Sequence, residues 1–178
     1  MRILDFVLVL VCFDYIALAQ LPTQRDALRD ADYSIRRFEE LVARVDFSRW
    51  QIPKEFLEKE LEGVKLARSS AKEAKDILAN LDAPREPGPE ELLDLISDLE
   101  IVGMELSGLS YETLELQDHN TTDMAKVGEA GALAEELARA GNDTSVAEAR
   151  LLSVAKRRIM LDELQLEKYK TACQTERR

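Results

Sequence analysis

Between residues 89 and 118 an apolar residue recurs every three or four positions, and no other feature of the chain limits its fold so strongly. With Leu92 opening a seven-residue repeat, the two core positions are Leu92, Leu95, Leu99, Val102, Leu106, Leu109, Thr113 and Leu116. Only Thr113 is not apolar. Residues three and four apart share one face of an α-helix, so this spacing makes one continuous seam. A strand would alternate every second residue, which this stretch does not do. Pro89 suits a first helical turn, where its missing N–H is not needed. Glu90 and Glu91 suit the positive end of the helix.

The apolar face is wider than a two-stranded seam. Ile96, Gly103, Ser110 and Gln117 flank it, and Leu93, Ile101, Met104, Tyr111 and Leu114 lie elsewhere around the helix. Such coverage predicts an inner helix with neighbours on more than one side. The same stretch holds nine acids and no Lys or Arg. Four of them, Glu91, Asp98, Glu105 and Glu112, recur every seven residues along one edge of the seam. Charges that far apart stand about 10 Å from one another and repel weakly at physiological salt. The row is therefore either a solvated rim or a docking edge for a basic partner segment.

The rest of the chain also reads as helix. Residues 23–46 carry Leu28, Ala31, Ile35, Phe38, Val42 and Val45, with Thr23 as cap and Asp26 three residues on. Arg29, Arg36, Arg37 and Arg44 read as part of a mixed, solvated outer face. Residues 53–81 place Leu57, Val64, Ala71 and Leu78 at one core position and Ala67, Ala74 and Leu81 at the other, where Glu60 is the exception. Lys54, Arg68 and Lys75 form a partial basic row on this helix. Antiparallel neighbours match like flank with like flank, so that row is not assigned to the acidic one. A shorter helix over 123–140 has Val127, Ala130, Ala134 and Leu137 as its stripe. Gly128 and Gly131 weaken it by about 1 kcal/mol each. Gly141-Asn142 reads as a helix stop, and Ser145 with Glu148 as the capping box of a last helix over 145–174. In that helix Leu152, Ala155, Ile159, Leu166, Tyr169 and Cys173 share a stripe broken by Asp162, with Val154, Leu161 and Leu164 outside it. The coverage predicts contact with two neighbours or a second subunit. Lys156, Arg157, Arg158, Lys168 and Lys170 make this helix the candidate to face the acidic one. The expected fold class is all-α: an antiparallel helical bundle of four to five helices with coiled-coil-like heptad seams.

Residues 1–19 read as a signal peptide: Arg2, an apolar run from Phe6 to Phe13, and Ala17-Leu18-Ala19 as a small-x-small cleavage site. Asp5 and Asp14 and the shortness of the run argue against a membrane span. The expected domain plan is a signal peptide over 1–19 and a single helical-bundle domain over 20–178, exported to a periplasm or secreted. Without Cys12, Cys173 is the one cysteine, a candidate for an intermolecular disulfide or a small apolar packing residue. The formal net charge of −11 disfavours nucleic acid and anionic membrane surfaces as partners. Phe47, Trp50 and Ile52 fall in the connection 47–53, either plugging the end of a bundle or, at Trp50, anchoring a partner.

Little in the sequence points to catalysis. His119 is the one histidine, with Glu112 and Glu115 at helical spacing. These are weak metal-ligand candidates, because a di-iron bundle needs Glu-x-x-His on two helices. No serine sits in a nucleophile elbow, and there is no phosphate-binding or dinucleotide-binding glycine motif. No cofactor is called for. Asn120 and Asn142 match the N-glycosylation acceptor pattern, each in a predicted connection. The expected function is protein–protein interaction, as scaffold, adaptor or self-assembling unit with a partner that is basic or a second copy. The alternative is a small-ligand or lipid carrier whose cavity is lined by Ala67, Ala71, Ala74, Ala130 and Ala134. A carboxylate- or metal-dependent enzyme ranks behind both.

Overall fold

A computed structural model describes residues 23–45, 54–80, 87–119 and 124–175, and these are all-helical. There are four helices among the described residues: α1 Gln24–Arg44, α2 Lys54–Asn80, α3 Pro89–His119 and α4 Met124–Thr175. No described residue is in a strand. Residues 1–19 and Trp50 lie outside the described residues, as does Asn120.

Local chemistry fixes two of the helix starts. The Asp26 backbone N–H donates to Thr23 Oγ1 at 3.1 Å, and the Thr23 hydroxyl donates to Asp26 Oδ2 at 2.6 Å. This occupies a donor that the first turn of α1 leaves open. That hydroxyl contact is the main reason the Asp26 carboxyl is held below its ordinary value. At α3 the Gly88 carbonyl accepts the first helical N–H, from Leu92, at 3.1 Å. Glu91 Oε2 accepts the Gly88 N–H at 2.8 Å, which is the reciprocal half of a capping box. The first acid of the seven-residue row is thus spent on starting its own helix.

The stop predicted at Gly141-Asn142 is absent, and residues 123–140 and 145–174 belong to one helix of 52 residues. A glycine stop works by entering the left-handed backbone region, and no described residue has a positive φ. Gly141 instead serves as a notch for α3. A side-chain carbon there would lie 2.8 Å from Ser107 Oγ and 3.5 Å from the Gly103 carbonyl oxygen. Thr144 and Ser145 do not cap a new helix. Their hydroxyls donate one turn back, to the carbonyls of Ala140 at 2.8 Å and Gly141 at 3.2 Å, the usual way such residues sit inside a helix. Asn142 is therefore exposed in mid-helix rather than in a connection, and Thr144 of its acceptor pattern is fully buried.

The described helices share one core. Leu92, Leu95, Leu99, Val102, Leu106, Leu109 and Thr113 are all buried on α3, meeting Ile35, Phe38 and Leu41 of α1, Val64, Ala67, Ala71 and Ala74 of α2, and Leu137, Leu151 and Ala155 of α4. Contacts between helices run in opposite senses along the chain. On α3 and α4, Gly103 lies by Thr144 and Ser110 by Ala134. On α2 and α3, Gly63 lies by Glu105 and Ser70 by Asp98. On α1 and α4, Asp30 pairs with Arg150 and Arg37 with Glu136. Each of these three pairs is antiparallel. Arg37 and Arg44 reach Glu136 at 2.7 and 2.6 Å, so they tie α1 to α4 rather than lying on a purely outer face. Lys75 reaches Glu39 of α1 at 2.7 Å, away from the acidic row of α3.

At about 1.5 Å per residue, α4 is about 78 Å long and α3 about 46 Å, so α4 must run past its neighbour. Among its described side chains, Leu151, Val154 and Ala155 are the last that are buried. No described helix is long and apolar enough to cross a membrane.

Candidate functional site

Two places stand out: the acid-bearing contact between α2 and α3, and the exposed apolar part of α4 that leaves the core.

The seam of α3 turns the acidic row toward α2. Asp98 is only 8% exposed. Burial pushes its carboxyl above the ordinary value, a hydrogen bond from the Ser70 hydroxyl works in the opposite direction, and the like charges of Glu73 and Asp94 raise it again. Two turns further on, Glu105 rests on Gly63. A side-chain carbon on Gly63 would stand 2.5 Å from Glu105 Oε2, inside any allowed contact. The missing side chain is what makes room for the carboxylate. Glu105 Oε1 is buried and accepts no hydrogen bond among the described residues. Its carboxyl is pushed up to about 7, first by burial and then by the like charge of Glu60. Glu60, one helical turn before Gly63, is itself only 8% exposed. Two acids from facing helices thus meet in one partly desolvated patch.

These positions decide what the row can do. At Asp98 and Glu105 it is covered by α2, so it is not a solvated rim there, and a docking partner would have to displace α2. Glu112 is half-buried and Glu91 caps α3. The residue that sequence reasoning passed over is Glu60. Its signal was present: an acid at a core position of the α2 repeat, where the other residues are apolar.

The opposite side of α3 meets α4 through small residues. Gly103 would place a side-chain carbon 3.4 Å from Thr144 Cγ2, and Ser110 donates to the Ala134 carbonyl at 2.8 Å. α4 does lie against the acidic helix. One acidic contact occurs here: burial raises the Glu148 carboxyl, with Glu100 of α3 adding to it. Ala67, Ala71, Ala74, Ala130 and Ala134, the residues of the carrier alternative, are buried to within 1%.

Beyond Ala155 the character of α4 changes. Ile159, Met160, Leu161, Leu164 and Leu166 are each at least 38% exposed, and every described side chain from Ile159 to Lys168 is exposed. The first part of this stripe, at Leu152 and Ala155, belongs to the core or packs on it; its continuation at Ile159 and Leu166 is exposed, with no core of described residues beneath it. Cys173 lies in α4, but its side chain is outside those described.

Of the weak metal candidates, Glu115 is exposed and accepts from the Tyr111 hydroxyl, which raises the phenol above its ordinary value. The side chain of His119 is outside those described. Among the described residues no group of three or more His, Cys, Asp or Glu is placed to hold a metal ion. No protein-family model, curated protein or solved structure matches the chain.

Proposed function

We propose that this is an exported protein that acts by binding protein, and that α4 beyond Ala155 is its contact surface. The observation that carries the reading is the run of five exposed large apolar side chains from Ile159 to Leu166 on a helix that has left its core. Scattered exposed leucines need no explanation, but five large apolar side chains within eight residues of a helix that has left its core do. A partner that brings an amphipathic helix would extend the packing already begun at Leu151, Val154 and Ala155. The described part of this chain displays one projecting apolar segment of that kind, α4 itself, so the occupant proposed is a second copy. The net charge of −11 works against an anionic lipid surface as the alternative occupant.

In this reading the domain spans 20–178 after removal of a signal peptide over 1–19. It is an antiparallel bundle with coiled-coil-like seams, and Cys173 can bridge two copies where their α4 helices run parallel.

Light scattering over a range of protein concentrations tests the proposal. The wild-type mature protein is expected to gain mass as a dimer or larger, and Leu161→Glu/Leu164→Glu to remain a monomer with unchanged helix content. A fall in mass on reduction assigns a bridge to Cys173. If the wild type stays monomeric, the second copy is ruled out. If it also captures no protein from a native extract that the double variant loses, the surface itself is ruled out.

A further inference from the structure

We propose that Glu105, set on Gly63 and facing Glu60, is a proton-operated clamp between α2 and α3: closed when its carboxyl is neutral, loosened when it is ionised. The geometry carries this. Glu60 is buried at a core position of α2, and the Glu105 carboxylate occupies the space that the absent Gly63 side chain leaves open. Glu105 Oε1 is shut from water with no donor among the described residues. An ionised carboxylate in that position leaves Oε1 with neither water nor a hydrogen bond, and meets a second acid. A neutral carboxyl lessens the first penalty, removes the like-charge repulsion and has a proton to donate.

The charges around Glu105 offer no relief among the described groups. From α2 the group that bears on it is Glu60. Further along the same contact stand Asp98 and Asp94 of α3 with Glu73 of α2, all acids. On the α4 side the charged pair is Glu148 with Glu100, again two acids. Lys75 of α2 is turned to Glu39 of α1. α1 meets α4 through Asp30 with Arg150 and through Arg37 and Arg44 with Glu136.

The sign follows from the two states of the chain. Unfolded, Glu105 ionises near 4.5; folded, near 7. Between these values the folded protein holds a proton that the unfolded chain has released. Stability therefore falls as pH rises from about 4.5 to about 7 and is level above that. Loosening falls first on α2, whose contact with α3 contains the group.

The test is a side-chain carboxyl titration of Glu105 by carbon NMR on the wild-type protein, together with amide hydrogen exchange corrected for intrinsic rates. The expected midpoint is near 7. Protection of α2 amides is expected to drop on the order of tenfold between about pH 5 and about pH 8, with a smaller drop at the α3–α4 contact. Glu105→Gln, neutral at every pH and close in shape, is expected to hold α2 protection level across that range. A midpoint near 4.5, a level wild-type profile, or a slope that survives in Glu105→Gln would each overturn the proposal.

Discussion

The two sides of α3 are built on different principles. Toward α4 the contact is made by Gly103, Gly141, Thr144, Ser107 and Ala134, with hydroxyls turned onto backbone carbonyls. Toward α2 it holds Asp98, Glu105 and Glu60, with one hydroxyl, Ser70, donating into the group. The first side brings backbones close and satisfies its polar atoms internally. The second leaves a carboxylate oxygen shut in without a hydrogen bond among the described residues. Stability at the α4 side is thus chiefly a matter of shape, with Glu148 beside Glu100 as its one acidic contact. At the α2 side it depends on a proton. One helix carries a permanent interface and a conditional one, back to back.

The largest effect should come from the seam both sides share. Leu106 is fully buried, and Leu106→Ala is expected to destabilise by about 2–5 kcal/mol in urea unfolding, because the hole cannot collapse fully. A loss under about 1 kcal/mol would show that the centre of α3 is loosely packed, and would break the contrast at its root.

Next comes the shape of the α4 side. Gly141→Leu is expected to cost about 1–3 kcal/mol, since even the first side-chain carbon would press on Ser107 Oγ at 2.8 Å. Its effect should be the same at about pH 5 and about pH 8, read from urea midpoints. A pH-dependent loss would mean that the two sides are not separable.

The smallest effect, and the sharpest, belongs to the α2 side. Gly63→Ala removes the seat of Glu105 but leaves the acid in place. The obstructing atom is the far end of a flexible side chain, so the carboxylate can swing toward water. The exchange of Gly for Ala in a helix then contributes up to about 1 kcal/mol. The expected result is a protein slightly more stable at about pH 8 and with a flatter stability profile below it. Destabilisation at every pH would show that the Glu105 carboxylate cannot leave its place.

Part of this was legible in the residues alone. Thr23 with Asp26 announced the start of α1, and the capping hydrogen bond is there. The seven-residue repeat of α3 picked out Leu92, Leu95, Leu99, Val102, Leu106 and Leu109, all buried. The break at Gly141-Asn142 was misread because glycine has two uses. It can enter the left-handed region and end a helix, or it can let another backbone come near, and only the position of α3 selects the second. Ser145 and Glu148 were misread for the same reason: a capping pattern acts as a cap only where the helix has stopped.

The acidic row shows the limit most clearly. Its spacing of seven on one edge of the seam followed from the sequence, and so did the presence of an acid, Glu60, at a core position of α2. Whether that edge faced water, a partner or another helix of the same chain did not follow, since periodicity defines a face and not what lies opposite. The sequence by itself determined helices, apolar faces and the acidic edge, because these depend on residues three and four apart. The tertiary structure decided that Glu105 lies over Gly63 beside Glu60, that Gly141 admits α3, and that α4 outruns its core. Each of these joins residues far apart in the chain, and only packing brings them together.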